Sequence, residues 1–263
     1  MGSMKKILIT DANIVNEGKI IRGDVYVKDG LIFIAGGNLK EYEADIVIEG
    51  EGKYLFPGLI DDQVHFREPG LTHKADIYTE SRSAVAGGIT SFMEMPNTIP
   101  QTTTLELLEN KFQLAAEKSL ANYSFYLGAT NDNLEELLKV DPNQVCGIKV
   151  FQGSSTGNML VDNPESLEKI FAECKLLIAT HSENDGMIKQ NLEKFKIEFG
   201  EDIPVQCHPR IRSAEACYDA SKKVVDLARN LGRKSSTAIT SWSRTTRLAH
   251  LRAVSCRCRA IFA

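Results

Sequence analysis

The stretch GLIDDQVHFREPG, residues 58–70, decides the fold because it combines a strand-like apolar start with a polar end. Side chains alternate along a strand, so Gln63, His65 and Arg67 are predicted to project to one side of it. Four further segments with strand composition follow along the chain: 89–95, 123–129, 147–151 and 176–181. Their nearly continuous apolar runs indicate strands that are buried on both faces.

Helical segments separate these strands and continue after the last one. They are predicted at 78–86, 104–118, 134–140, 164–174, 184–199 and 214–231, and Thr103 and Glu106 have the spacing of a capping box for the second. Strands that alternate with helices predict parallel β-α-β units. Both a doubly wound sheet and a (β/α)₈ barrel satisfy this pattern. No G-x-G-x-x-G motif follows a strand, which weakens the dinucleotide-binding version of the first fold.

The chain divides into three parts by composition. Residues 4–55 contain short β-rich pieces and predict a small β domain, with a hairpin turn at Lys28-Asp29-Gly30. Residues 56–231 contain the strand and helix alternation. Residues 232–263 differ from both: all 35 Asp and Glu lie at or before Asp226, and no apolar strand is predicted where a sixth strand should begin. We expect this basic tail to be out of frame with the ancestral gene.

Composition excludes several classes of protein. The chain has 263 residues, of which 43% are hydrophobic and 25% charged, as in an ordinary globular protein. No apolar run is long enough for a membrane span, and a net charge of −4 gives no reason to expect nucleic acid as a partner. The 6 cysteines lack the spacing of a disulfide framework, and no secretory signal is visible, so a cytoplasmic protein with reduced thiols is expected.

Polar residues stand at the ends of four of the five predicted strands. They include His65, Asn97, Lys149 and His181. A single strand-end histidine can be a structural polar group, and an asparagine after a proline can simply shape a turn. Lys149 is harder to explain in that way, because a buried ammonium without compensation is costly. In either α/β architecture the carboxyl ends of the strands meet, so the set predicts a functional site.

The same segments resemble a known family. The first strand is similar to the D-x-H-x-H motif of the amidohydrolase superfamily. The segments HFREPG (65–70), MPNT (95–98), GIKVF (147–151), ATHSEN (179–184) and HPRIRSAEA (208–216) resemble the bacterial dihydroorotases within it. The resemblance covers residues 5 to about 231. It implies an α/β fold: a (β/α)₈ TIM-type metal-dependent hydrolase barrel, here incomplete with about five strands, and a small N-terminal β-sandwich domain.

The resemblance also implies roles for individual residues. His65 and His181 would be zinc ligands, and Lys149 would be the lysine that the family carboxylates to bridge two metal ions. Arg67 would pair with a carboxylate of the substrate, and Asn97 would add a hydrogen bond to the same molecule. The chemistry would be the attack of metal-activated water on a cyclic amide.

Two features depart from the family pattern. Gln63 replaces the first histidine of the H-x-H pair. The resemblance implies one or two zinc ions, and one of these positions is expected to bind zinc weakly. The family also has a general-base aspartate on the eighth strand, and no Asp follows Asp226 here, so no catalytic residue is assigned.

The sequence therefore predicts a dihydroorotase-type hydrolase that interconverts dihydroorotate and N-carbamoyl-aspartate in pyrimidine biosynthesis. Its partner would be a small carboxylate-bearing substrate, with neither nucleic acid nor membrane, and homo-oligomer formation stays open. Two alternatives stay open as well: another cyclic amidohydrolase, such as a hydantoinase or allantoinase, and a truncated family member without activity.

Overall fold

A computed structural model describes residues 5–153, 158–233 and 237–239. The chain divides into two compact units, Met1–Leu59 and Ile60–Ala263. The predicted tail 232–263 lies outside the described residues, apart from Gly232, Arg233 and 237–239.

The first unit contains one mixed β-sheet in its described residues. Its strands are β1 (Ile7–Asn16), β2 (Lys19–Lys28), β3 (Leu31–Ala35), β4 (Ile46–Glu49) and β5 (Tyr54–Leu55). Their order is β3-β2-β1-β4, and β5 pairs with β1. The predicted turn between β2 and β3 is confirmed, with φ values of 53° at Asp29 and 76° at Gly30. Two successive positive φ values are typical of the tight hairpin turn that matches strand twist.

The second unit alternates strands and helices. Its strands are β6 (Leu59–Val64), β7 (Ile89–Glu94), β8 (Asn122–Gly128), β9 (Gly147–Gln152), β10 (Ile178–Ser182) and β11 (Thr237–Ile239). Its helices are α1 (Ile77–Ala86), α2 (Leu105–Lys118), α3 (Leu134–Lys139), α4 (Pro164–Glu173), α5 (Asp185–Phe199), α6 (His208–Ile211) and α7 (Ala214–Asn230). The five strands and six helices predicted for this region are present within a few residues of their expected ends.

The order of the strands separates the two architectures that the sequence left open. The strands lie side by side in chain order, from β6 to β11, and each pair from β7 to β11 is parallel. A doubly wound sheet reverses its strand order at a switch point, whereas a (β/α) barrel keeps the order of the chain. The described sheet therefore has the connectivity of a barrel.

Two predictions are wrong in detail. Helix α2 is capped by Thr104, whose hydroxyl accepts a hydrogen bond from the Leu107 amide at 3.3 Å, and not by a capping box from Thr103 to Glu106. The tail also contributes β11, which pairs in parallel with Ile178–Thr180 of β10. Strand pairing uses backbone groups, so a segment without an apolar pattern can still add a strand.

The core lies between the sheet and its helices. Its members include the fully buried apolar side chains of Phe92, Phe125, Leu127, Ile148 and Ile178. A few polar side chains are buried with them, among them Glu94, Lys111 and Lys149. In the described residues, no helix is long and apolar enough to span a bilayer.

Candidate active site at the carboxyl ends of the strands

His65 and Asn97 come together where β6 and β7 end. The Nδ1 atom of His65 lies 2.8 Å from Oδ1 of Asn97. An amide oxygen accepts, so Nδ1 carries the proton and Nε2 keeps its lone pair. Burial lowers the pKa of His65, and the charges of Arg67 and Lys149 lower it further, against the hydrogen bond to Asn97. His65 is therefore a neutral imidazole at neutral pH, the form that binds metals.

Arg67 has an unusual backbone conformation next to this pair. Its φ is 70°, in the left-handed region, and its side chain is half-buried. Strand β6 ends at Val64, so strand alternation extends to neither His65 nor Arg67, and the alignment of these two side chains with Gln63 stays a prediction. Among the residues that the structure describes, the Arg67 guanidinium takes part in no hydrogen bond and no ion pair.

Lys149 lies in the middle of β9 and is only 1% exposed. Burial lowers its pKa to about 7. Its Nζ atom lies 5.0 Å from the centre of the Phe151 ring. A lysine with this pKa is largely an uncharged, nucleophilic amine at slightly alkaline pH.

His181, in β10, is held by charged groups. Its Nε2 atom lies 2.8 Å from Oε2 of Glu183, and Glu183 accepts hydrogen bonds from Nε of Arg212 at 3.1 Å and from Nη2. Burial raises the pKa of Glu183, but its bonds to Arg212 and His181 outweigh burial, and the pKa lies below its usual value. The carboxylate is thus ionised and accepts a hydrogen bond from Nε2–H of His181.

The structure brings these residues to one region of the sheet. Phe151 pairs with His181 and Lys149 pairs with Ala179, so Lys149 and His181 lie on the same face. The ring of Phe151 contacts both residues, with a distance of 6.3 Å between its centre and that of the His181 ring. The charge of Lys149 also acts on His65. The five predicted site residues thus lie at the carboxyl ends of β6, β7, β9 and β10 or within those strands.

Sequence reasoning missed four residues that support the site. Glu183 and Arg212 belong to motifs quoted above, but no role was assigned to them. Glu94 and Lys111 form a buried ion pair behind the loop that carries Arg67. The available indications were an acidic residue at the end of an apolar strand and a lysine on the apolar face of α2.

His65 and His181 are the imidazole donors that the described part of the site offers to a metal ion. In the described part of the chain, no three or more His, Cys, Asp or Glu side chains are grouped to hold a metal. His65 and His181 each direct one ring nitrogen to an outer partner, the arrangement that fixes metal-binding histidines. A carboxylated Lys149 would supply the oxygen donors that the two imidazoles lack.

The chain is similar to proteins named dihydroorotase, allantoinase and L-hydantoinase. Residues 52–210 match the Dihydro-orotase-like family. The chain is 33% identical over 232 residues to a dihydroorotase of Methanosarcina acetivorans, covering 87% of this chain and 48% of the relative, and 30% identical over 231 residues to an allantoinase of Bacillus velezensis, covering 86% and 50%.

A solved structure extends this similarity to the fold. The L-hydantoinase (dihydropyrimidinase) of Arthrobacter aurescens superposes with a TM-score of 0.83 at 26% identity, over 90% of this chain and 52% of that chain. This confirms the incomplete TIM-type barrel with a separate small sheet. The chain spans about half the length of the curated relatives it matches. By sequence and by fold, the chain belongs to the dihydro-orotase-like family of cyclic amidohydrolases.

Proposed function

We propose that the chain provides part of a metal-dependent site that hydrolyses a cyclic amide whose ring bears a carboxylate, as dihydroorotate does. The observation that carries the choice of substrate is Arg67. Its guanidinium is half-buried and takes part in no hydrogen bond or ion pair within the described residues. Planar guanidinium groups bind carboxylates at two points, whereas a neutral ring would leave this charge without a partner.

His65, His181 and Lys149 would hold the metal ion, which we propose to be zinc. A cation held there would supply a nucleophile from water near neutral pH. Asn97 holds His65 through Nδ1, and Glu183 holds His181 through Nε2, so each imidazole keeps its other nitrogen for the cation. Gln63 is a weaker donor than the histidine of the family motif, so one metal position is expected to be weak.

The pKa of Lys149 suits its proposed modification. An uncharged amine attacks CO₂ to give a carbamate and release a proton, and burial lowers the pKa of Lys149 to about 7. A substantial fraction of the amine is therefore reactive at physiological pH. The carbamate would replace an unfavourable buried ammonium by an anion that two metal ions can neutralise.

Competition between two rings tests the proposed substrate. Dihydroorotate has the carboxylate and hydantoin lacks it, and both are cyclic amides. We expect dihydroorotate to bind the zinc-loaded chain more tightly than hydantoin, and the Arg67→Lys variant to lose that preference. Equal affinity of the wild-type chain for both rings would contradict the choice of substrate and favour the hydantoinase or allantoinase alternative, which the similarity to relatives of those names supports.

The alternative of a truncated family member without activity rests on Gln63 and on the lack, after Asp226, of the general-base aspartate that the family resemblance implies. Hydrolysis of dihydroorotate with added zinc, measured beside a full-length dihydroorotase under the same conditions, distinguishes it. Zinc and substrate binding without turnover would assign this chain a binding role only.

A further inference from the structure

A buried ion pair lies directly behind the loop that carries Arg67. Glu94 is the last residue of β7, and Lys111 is in the middle of α2. Both side chains are 1% exposed, and Nζ of Lys111 lies 2.8 Å from Oε2 of Glu94. Lys111 also donates to the backbone oxygen of Met95 at 3.1 Å and lies 5.1 Å from the centre of the Phe125 ring. The lysine is therefore fixed from three directions.

The other oxygen of Glu94 reaches the loop itself. Oε1 accepts a hydrogen bond from the backbone amide of Phe66 at 3.1 Å, and the next amide of the loop, that of Arg67, also acts electrostatically on the carboxylate. Glu94 thus binds the loop at Phe66 and interacts with the backbone of the residue that follows it. That next residue, Arg67, has the left-handed φ of 70°, which a non-glycine residue adopts only when its surroundings hold it there.

Helix α2 holds the same loop at a second point. Lys118 forms an ion pair with Glu68, and Oε2 of Glu68 accepts from the Ile77 amide at 3.0 Å. Lys111 and Lys118 are seven residues apart, so they lie on one face of the helix. One face of α2 therefore carries the lysine partners of two carboxylates near Arg67. Lys111 pairs with Glu94, and Lys118 pairs with Glu68, the residue that follows Arg67.

Stability alone does not account for the Glu94–Lys111 pair. Removing two charges from water costs more than their attraction returns in many proteins, and apolar pairs of similar volume are often as stable. A geometric role accounts for the pair, since a charged acceptor binds a backbone amide more strongly than a neutral one.

We propose that Glu94, held in place by Lys111, is a positioning residue that keeps Arg67 in its left-handed backbone conformation and so aims its guanidinium at the substrate. That the Arg67 guanidinium is directed at a substrate rests on the proposed function. That Glu94 stabilises the backbone conformation of Arg67 does not. Glu94 does not touch the substrate in this account.

The first test is amide hydrogen exchange in the wild-type chain, which needs no ligand. The amides of Phe66 and Arg67 should exchange far more slowly than the amide of Thr72 in the exposed part of the same loop. Exchange of Phe66 and Arg67 as fast as that of Thr72 would overturn the proposal.

The second test compares matched variants. Glu94→Leu/Lys111→Met removes the acceptor and the charge, whereas Glu94→Gln/Lys111→Met removes the charge but keeps an amide oxygen. Leu108→Ala is the control, because it opens the core one turn earlier on α2 without removing a hydrogen-bond acceptor. We expect exchange at Phe66 and Arg67 to speed up by at least about fivefold in the Leu/Met variant, with much of the protection restored in the Gln/Met variant.

Binding of dihydroorotate to the zinc-loaded chain gives the third readout. The Leu/Met variant should bind it at least about tenfold more weakly than Leu108→Ala, because small displacements of a binding group are costly.

Unchanged protection of the two amides in the Leu/Met variant would refute the hold on the backbone. Faster exchange with unchanged affinity would refute the aiming of Arg67. Failure of the wild-type chain to bind dihydroorotate would instead refute the proposed function, and the exchange results would still decide the hold on the backbone.

Discussion

The two histidines of the candidate site are held in opposite ways. His65, after β6, uses Nδ1 to contact the uncharged Asn97, whereas His181, in β10, uses Nε2 to contact Glu183, which Arg212 pairs with in turn. Burial lowers the pKa of His65, whereas the His181 side chain is 28% exposed beside a carboxylate. The site therefore has a neutral side, where Asn97 holds His65, and a charged side, where Glu183 and Arg212 hold His181. The two sides should respond differently to substitution and to acid.

Lys149 lies between the two sides, and its loss should have the largest effect. We expect Lys149→Ala to abolish any zinc-dependent hydrolysis and to weaken zinc binding by at least about 100-fold. Losing an outer partner of a metal ligand costs up to about 100-fold, and losing a group that holds the metal directly should cost at least as much. Metal analysis after dialysis measures the effect, with the exposed Lys175→Ala as the control. Unchanged zinc stoichiometry would dismiss Lys149 as the group that joins the two sides.

Arg67→Lys tests the proposed contact with the substrate carboxylate next to His65, on the neutral side of the site. An ammonium cannot reproduce the two-point contact of a guanidinium, so KM for dihydroorotate should rise about tenfold or more while kcat changes less. Steady-state kinetics of the zinc-loaded chain, or direct titration where turnover is absent, measure the change. Arg82→Lys, on the exposed surface of α1, is the control. A native KM would show that Arg67 does not hold the carboxylate.

Glu183→Gln tests the charged side. Zinc affinity should fall by about 10- to 100-fold, the range for outer partners of metal ligands. Because the pKa of Glu183 lies below its usual 4.5, its carboxylate stabilises the fold above that pH, and this contribution is lost as pH falls through the lowered pKa. The unfolding free energy of the variant should therefore be about 2 kcal/mol below wild type at pH 7, and the gap should close in acid. A gap that persists at low pH would contradict the assignment.

Asn97→Ala tests the neutral side and should have the smallest effect. A neutral hydrogen bond is weaker than a charge-assisted one, so zinc affinity should fall by about tenfold or less. The stability difference from wild type should not close in acid, because no carboxylate takes part. An acid-dependent difference as large as that of Glu183→Gln would remove the distinction between the two sides.

The sequence predicted the elements better than their contacts. Strand and helix bounds follow from local apolar patterns, and the polar strand ends follow from the rule that parallel strands meet at one edge. The bond between His65 and Asn97 depends on which rotamers the packed loops allow, and no local pattern encodes that choice. The Glu94–Lys111 pair joins a strand to a helix, so it becomes visible only once α2 is packed on the sheet. The left-handed φ of Arg67 is hidden for the same reason, since arginine does not favour it.

The tail shows another limit of the sequence. Its composition predicted no strand, yet Thr237–Ile239 pairs in parallel with β10. The expectation that the tail is out of frame stays a prediction, which sequencing of the encoding DNA beyond residue 231 in all frames would test.

Zinc titration of the wild-type chain and three single variants, with bicarbonate present, tests the central claim most directly. If the strand ends form one metal site, wild type binds zinc at a defined stoichiometry, His65→Ala and His181→Ala each weaken binding by at least about tenfold, and Lys149→Ala weakens it by at least about 100-fold. If the three variants bind zinc as wild type does, the strand ends do not form a metal site and the account is wrong.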